Sequence, residues 1–288
     1  MKNPLDVVAR VSVRGMKVLP TNLVSRGFGS FARTGASKHV IRAYARAFGV
    51  AVNEAELPLD DYPTLNAFFT RKLKPGVRPL AEGADVMICP VDGQLSESGA
   101  CEHDRLLQVK GQSYTLFNLL RDGPMARAFE DGSYVTLYLS PRDYHRVHAP
   151  LDLRITGIGY MPGALLPVNG PSVRYNEELF THNERLMVYA ESDAGPMVMV
   201  LVGAHCVGSI SLAFHDFVTN KGGQSPTRLN FQRPIFVRKG DEVGMFEMGS
   251  TVVMIFEKEG IDLELPTQGE LVRLGQRLGR VTNEETKT

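Results

Sequence analysis

The chain has 288 residues, with 32 Lys and Arg against 32 Asp and Glu, 43 % apolar residues and three cysteines. The apolar share excludes wholesale disorder, and the length suits one large domain or two ordinary ones. Cys89, Cys101 and Cys206 stand far apart with no Cys-x-x-Cys spacing, which excludes a disulfide framework and indicates a reducing compartment. The zero net charge conceals an asymmetry: residues 1–50 hold nine basic side chains and one acidic, Asp6, a local +8 that leaves −8 for the remainder. A basic arm on a mildly acidic body points to a polyanionic surface as partner, either membrane or nucleic acid.

Residues 5–19 read as an amphipathic helix. Asp6, Arg10, Arg14 and Lys17 fall on one stripe, and Leu5, Val8, Val11, Met16 and Leu19 on the other side. Pro20 ends it, because proline disfavours helix in the residue before it. A second helix is expected over 22–31, with Leu23, Val24, Phe28 and Phe31 as its apolar residues. A third is expected from Ser37, read as its N-cap, with Val40, Ile41, Tyr44 and Phe48 on one face. Basic flanks beside Phe and Leu predict helices that lie in a membrane interface. The alternatives are helices packed on the body with solvated basic faces, or a mitochondrial transit segment.

A short helix is expected over 63–70. From about Asp85 onward, short β-rich runs alternate with Gly and Pro, at 86–89, 134–139, 186–189, 197–202, 235–237 and 251–256. Residues 194–214 lack any Asp, Glu, Lys or Arg and have the length of a membrane span. Their Gly, Pro, His and Ser content and β-branched character predict instead two buried strands, 197–202 and 207–213, joined near Gly203. Residues 155–173, with four Gly and three Pro, predict turns. No signal-peptide pattern, βαβ alternation, nucleotide-binding glycine loop or internal repeat is present. Residues 270–279 read as a short element and 281–288 as a frayed end. The expected fold class is α+β: N-terminal amphipathic helices over 1–62, then a mostly antiparallel β sandwich or barrel-like body over 63–288.

Three segments carry side chains capable of chemistry. Cys89-Pro90-Val91-Asp92-Gly93 ends one strand, Ser140-Pro-Arg-Asp-Tyr-His145-Arg-Val-His148-Ala-Pro150 follows another, and Glu247-Met248-Gly249-Ser250-Thr251 opens the last strong one. Each has an ordinary explanation. Asp-Gly between β runs is commonly a turn. The two histidines suit a surface loop, and no Cys or Glu stands at the spacing a metal site needs. Gly-Ser-Thr before an apolar strand is frequent, and the surrounding residues do not form a Gly-x-Ser-x-Gly elbow. Together, an Asp, two His and a Ser are the materials of an activated nucleophile.

Several motifs in one order carry a resemblance along nearly the whole chain. They are Pro90-Val91-Asp92-Gly93, Tyr138-Leu-Ser-Pro-Arg-Asp-Tyr-His145-Arg-Val-His148 and Met161-Pro-Gly-Ala-Leu-Leu-Pro-Val-Asn169. They continue with Asn183-Glu184-Arg185, Val202-Gly203-Ala204, Val207-Gly208-Ser209-Ile210, Lys239-Gly240-Asp-Glu-Val-Gly244 and Met248-Gly249-Ser250-Thr251. The sequence resembles the bacterial, pyruvoyl-dependent phosphatidylserine decarboxylases, with Met248 in place of a leading Leu in the cleavage motif and Leu166-Pro167 where a Phe-Ser pair is familiar.

That resemblance implies a lyase made as a zymogen. Ser250 Oγ attacks the carbonyl of Gly249, and the resulting ester is eliminated and hydrolysed. A large chain, 1–249, and a small chain, 250–288, result, the latter opening on a pyruvoyl group derived from Ser250. It implies His148 as the base for Ser250, Asp92 as the support of its imidazole, and His145 as the acid–base group of decarboxylation. Phosphatidylserine is the implied substrate and phosphatidylethanolamine the product. An anionic membrane surface and a homodimer are implied, with neither nucleic acid nor metal. The implied location is peripheral, on the cytoplasmic face of a bacterial inner membrane. The competing readings are a Ser/His/Asp hydrolase, a non-enzymatic anionic-lipid-binding module, and a pyruvoyl decarboxylase of a soluble amino acid.

Overall fold

The computed structural model describes residues 21–107, 113–168, 172–173, 176, 178–204, 209–247 and 250–282. The helix expected over 5–19, the residues Cys206, Met248 and Gly249, and the end at 283–288 lie outside them.

Helix α1 (Thr21–Ala32), a 3₁₀ segment (Gly35–Val40), α2 (Ile41–Phe48) and α3 (Leu65–Phe69) form the N-terminal part. The body follows with β1 (Val86–Ile88), β2 (Gly93–Ala100), β3 (Arg105–Leu107), β4 (Ser113–Thr115), α4 (Leu116–Leu120), α5 (Gly123–Ala128), β5 (Ser133–Leu139), β6 (Arg146–His148) and β7 (Leu153–Met161). It continues with α6 (Leu179–His182), β8 (Arg185–Ser192), β9 (Gly195–Gly203), β10 (Ile210–Leu212), β11 (Thr227–Val237), β12 (Glu242–Phe246), β13 (Ser250–Phe256), β14 (Ile261–Leu263), β15 (Leu271–Val272) and β16 (Arg277–Val281).

Eight strands make one antiparallel sheet in the order β11-β7-β8-β9-β13-β5-β2-β15. Two three-stranded sheets, β1-β16-β14 and β10-β12-β6, and a β3-β4 pair complete the strands. The sequence of β13, STVVMIF, explains its central place. Val252, Met254 and Phe256 enter a core shared with Val147, Phe246 and Leu278 of the small sheets. Val253 and Ile255 point the other way, into a core with Leu116, Leu119 and Leu120 of α4. All seven residues of β13 are buried, and each large apolar side chain so buried contributes about 1.5–3 kcal/mol. The small sheets thus pack on one face of the large sheet and short helices on the other, which fits the expected α+β class of mostly antiparallel strands. The sheet is open, with β11 and β15 at its edges, so the barrel alternative does not describe it.

Three other expectations change. Residues 155–161, expected as turns, lie within β7, where a covered sheet face outweighs the local preference of Gly157 and Gly159 for turns. Val281, expected to fray, ends β16 and pairs with Ile261. Ser37 is not an N-cap: it lies inside the 3₁₀ segment, fully buried. Its hydroxyl sits 2.9 and 2.7 Å from the carbonyls of Ala32 and Thr34 and accepts from the Leu65 amide at 2.9 Å.

That bracket draws α1, α2 and α3 around a third core of Ala32, Ile41, Ala45, Val50, Ala55, Tyr62, Leu65, Phe68 and Phe69. This core includes residues on both sides of position 62. Thr64 caps α3 by accepting from the Ala67 amide at 3.0 Å. Tyr44 of α2 donates its hydroxyl proton to the Pro141 carbonyl at 2.8 Å, which fastens the helices to the β5–β6 loop. Phe31, Val40 and Phe48 stay exposed. Among the described residues, no helix is long and apolar enough to cross a membrane.

Candidate active site

Ser250 is the first residue of β13 and pairs with Leu139 on one side and Gly203 on the other. Its side chain is fully buried, and its Oγ has no hydrogen-bond partner among the described residues. The flank at Gly203 is held by Asn183. The Asn183 Nδ2 donates to the carbonyls of Gly203 at 2.9 Å and Leu166 at 2.8 Å, and its Oδ1 accepts from the Leu166 amide at 3.2 Å. Arg185, two residues on, is buried and donates to the carbonyls of Asn118, Leu119, Thr181 and Asn183. Burial pushes its pKa down to about 10. The Asn183-Glu184-Arg185 motif is thus scaffolding for the strand beside Ser250.

His145 is carried by the loop from β5 to β6. The Asp143 carboxylate accepts from the amide and hydroxyl of Ser140 at 2.7 and 2.6 Å, closing a tight turn. Arg71 clamps that turn, donating from Nη2 to the carbonyls of Arg142 and Asp143 at 3.0 and 3.2 Å. His145 Nδ1 lies 2.9 Å from the Asp143 carbonyl. A carbonyl only accepts, so Nδ1 carries the proton and Nε2 keeps its lone pair. That Nε2 is buried and has no partner among the described residues, and the ring lies 4.1 Å from that of Phe69. Burial, reinforced by the Arg71 charge, pushes the His145 pKa down to about 3.

A stability prediction follows from that imidazole. In the unfolded chain His145 takes up a proton below about pH 6.5, whereas in the fold it stays neutral to about 3. Its contribution is therefore complete above pH 6.5 and is lost as the pH falls, by about 1.4 kcal/mol per unit. Between pH 6.5 and 5 the protein should lose about 2 kcal/mol more than a His145→Phe variant, measured by urea unfolding at each pH. Equal slopes for the two proteins would show that His145 is not held neutral by burial.

His148 ends β6, and its amide donates to the Pro90 carbonyl at 2.9 Å. Its Nδ1 donates to the Gly240 carbonyl at 2.7 Å, which leaves Nε2 to accept from the Tyr144 hydroxyl at 3.0 Å. Burial lowers its pKa. The position of Gly240 depends on its being glycine. Its φ is +85°, and a Cβ there would stand 2.3 Å from Leu80 Cδ1. The Gly240 amide donates to the Ala149 carbonyl, and the Ala149 amide to that of Asp241, each at 2.9 Å. The Lys239-Gly240-Asp241 stretch is therefore what orients His148.

Asp92 faces elsewhere. Arg78 grips it with Nε at 2.9 Å and Nη2 at 2.6 Å while Nη2 also reaches Glu54 at 2.6 Å. These carboxylates, Asp92 first, push the pKa of Arg78 upward. The Leu274 amide donates to Asp92 Oδ1 at 2.9 Å. Asp92 and His148 make no hydrogen bond with each other, so the structure does not supply the expected direct support of the imidazole. Nor is Asp92-Gly93 a simple turn. Gly93 opens β2 so close to β5 that a Cβ would lie 2.5 Å from the Tyr138 carbonyl oxygen.

A cavity of about 230 Å³ is lined by Arg71, Arg78, Asp92, Arg142, Tyr144 and Arg273, among others. Ser250, His145 and His148 do not line it. Among the described residues, no three His, Cys, Asp or Glu side chains converge as a metal-binding group. The described residues thus offer one sealed hydroxyl and two imidazoles, His145 with a buried and bare Nε2 and the half-buried His148 with its Nε2 accepting from Tyr144. Sequence motifs pointed to these three residues and to Asp92, but not to Tyr144 and the Gly240 carbonyl as the partners of His148 or to Arg78 as the partner of Asp92.

Comparison with known proteins gives one consistent result. The profile of the phosphatidylserine decarboxylase family matches residues 65–280. The chain is 44 % identical over 272 residues to a phosphatidylserine decarboxylase proenzyme of Myxococcus xanthus, covering 93 % of this chain and 97 % of the relative. It is 43 % identical over 278 residues to that of Anaeromyxobacter, covering 94 % and 98 %. It is 40 % identical over 277 residues to that of Acidovorax ebreus, covering 93 % and 97 %.

Proposed function

The chain belongs to the phosphatidylserine decarboxylase family, and on that premise we propose that it converts phosphatidylserine to phosphatidylethanolamine and carbon dioxide, using an electron sink made from its own Ser250. The observation that carries the self-cleavage is the Ser250 hydroxyl, buried without a partner among the described residues. An unsatisfied buried polar group costs about 1–3 kcal/mol, a penalty that a chemical role explains.

In the proposed maturation, Ser250 Oγ bonds to the carbonyl carbon of Gly249 while the peptide C–N bond breaks. The peptide becomes an ester, and the nitrogen of Ser250 is freed as an amine. His148 Nε2 receives the hydroxyl proton after Tyr144 yields its hydrogen bond; the lowered pKa keeps that nitrogen unprotonated near neutrality. Loss of the Cα proton of Ser250 then breaks the Cβ–O bond and releases Gly249 as a carboxylate. Water replaces the nitrogen, which leaves as ammonia, and a ketone remains at position 250. Asp92 contributes by position. With Arg78, it binds the stretch around Leu274, part of the future small chain, beside the Pro90–His148 pairing.

A pyruvoyl carbonyl at position 250 supplies the sink for the electron pair left behind by departing carbon dioxide. His145 serves the proton at the substrate Cα. Its Nε2 is bare, its ring is locked by Asp143 and Phe69, and water is excluded around it.

In this reading residues 1–62 contact an anionic bilayer, and the enzyme is a peripheral homodimer on the cytoplasmic face of a bacterial inner membrane. Support comes from the +8 of the first fifty residues and the exposed Phe31, Val40 and Phe48. Each Lys or Arg near an anionic surface adds about 1 kcal/mol. Residues between Phe28 and Tyr62 also share a core with α3, so a truncation that spares this core stops at residue 20.

One experiment tests both parts. Mass spectrometry of the purified protein should find chains 1–249 and 250–288, the small one reactive with a carbonyl reagent. Removing residues 1–20 should lower carbon dioxide release from anionic vesicles by roughly tenfold or more while affecting dispersed short-chain phosphatidylserine much less. A single intact chain without a reactive carbonyl would leave a hydrolase or a lipid-binding module. Equal losses on both substrates would assign residues 1–20 to the fold.

A further inference from the structure

We propose that Arg33 is a positioning residue for self-cleavage: by gripping Glu247 it holds the end of β12, from which the chain runs into the Gly249–Ser250 bond. The inference rests on the self-cleavage reading above. Arg33 directly follows α1, with its amide donating to the carbonyls of Gly29 and Ser30 at 3.3 Å. Its Nε donates to Glu247 Oε2 at 3.1 Å, and its Nη2 reaches the same oxygen and Ser209 Oγ, the latter at 3.3 Å. The partners are 214 positions apart in sequence.

This contact caps the last rung of a ladder. Ile210 of β10 pairs with Phe246 of β12, and the Glu247 amide donates to the Ser209 carbonyl at 2.9 Å. One guanidinium thus binds the side chains of both residues that end the pairing. The Glu247 side chain is 14 % exposed and that of Arg33 46 %. On the far side of the bond, Ser250 is fixed between Leu139 and Gly203. Only two residues separate these anchors. Attack of a hydroxyl on the carbonyl just before it depends on holding the two atoms in a reactive approach, so slack at either anchor lowers the rate. Arg33 removes slack from the anchor at the point where β12, paired with β10 and β6 as far as Phe246, leaves its short ladders. It also joins the helical part of the chain to the cleavage segment.

The test follows cleavage of freshly synthesised full-length chains over time. Arg33→Gln and Glu247→Gln should each lengthen the half-time by about two- to fivefold, within the range of a partly exposed ion pair. The double Gln variant should be no slower than either single one, because one interaction is lost in each case. Arg33→Lys should recover part of the rate, and the swap Arg33→Glu with Glu247→Arg should recover more than either reversal alone. High salt should slow the wild type and leave the Gln variants unchanged. A cleaving wild type with unaffected Gln variants would overturn this inference alone. So would a slowdown that neither Lys nor the charge swap repairs, since that marks a folding defect. A wild type that never cleaves would overturn the self-cleavage reading, and this inference with it.

Discussion

Ser250→Ala should yield one chain of 288 residues with no decarboxylase activity. The substitution deletes a single oxygen that makes no hydrogen bond among the described residues. Removing an unsatisfied buried hydroxyl relieves a penalty of about 1–3 kcal/mol, less the packing lost with the oxygen. The variant should therefore melt at or above the temperature of an uncleaved wild-type chain, which separates a chemical failure from a structural one. His148→Ala should slow cleavage by about 10²-fold or more, the lower end for loss of a general base. Asp92→Asn should slow it less, because the change acts through Arg78 and the Leu274 amide and not on the imidazole directly. Electrophoresis of time-stamped samples reads all three. A Ser250→Ala chain that still splits after Gly249 would remove Ser250 as the nucleophile.

His145→Gln should separate the two stages of the reaction. Glutamine fills most of the volume of the ring beside Phe69, and the turn between β5 and β6 keeps its ties from Ser140 and Arg71. Glutamine cannot take up or return a proton at Cα. The variant should mature, since His148 and Ser250 are untouched, and then turn over about 10²–10⁴-fold more slowly. His145→Ala should behave alike but lose stability as well, because the cavity beside Phe69 stays empty. Release of carbon dioxide per pyruvoyl-bearing chain is the proper measure, as it normalises for incomplete maturation. A fully cleaved His145→Gln enzyme with wild-type turnover would end the assignment of His145 to decarboxylation.

Local sequence sufficed wherever one physical requirement dominated. Residues 251–256, 197–202 and 134–139 read as strands because a strand covered on both faces needs an almost unbroken apolar run, and β13, β9 and β5 have it. The strands β2 (GQLSESGA) and β11 (TRLNFQRPIFV) were largely illegible, because they are half-exposed and their polar residues follow neither pattern cleanly. Ser37 looked like a cap by its neighbours, yet its hydroxyl is spent on Leu65, 28 positions away. The same division runs through the candidate site. Motifs singled out Asp92, His145, His148 and Ser250 because residue type and order survive in a linear sequence. Their surroundings do not survive there. That His148 is oriented by Gly240, 92 residues on, that Asp92 is held by Arg78, and that Arg33 reaches Glu247 are outcomes of strand pairing and helix docking. A hydrogen bond depends on a few tenths of an ångström between groups that the chain brings together only when it folds, so residue identity was available from the sequence and residue partnership only from the tertiary structure.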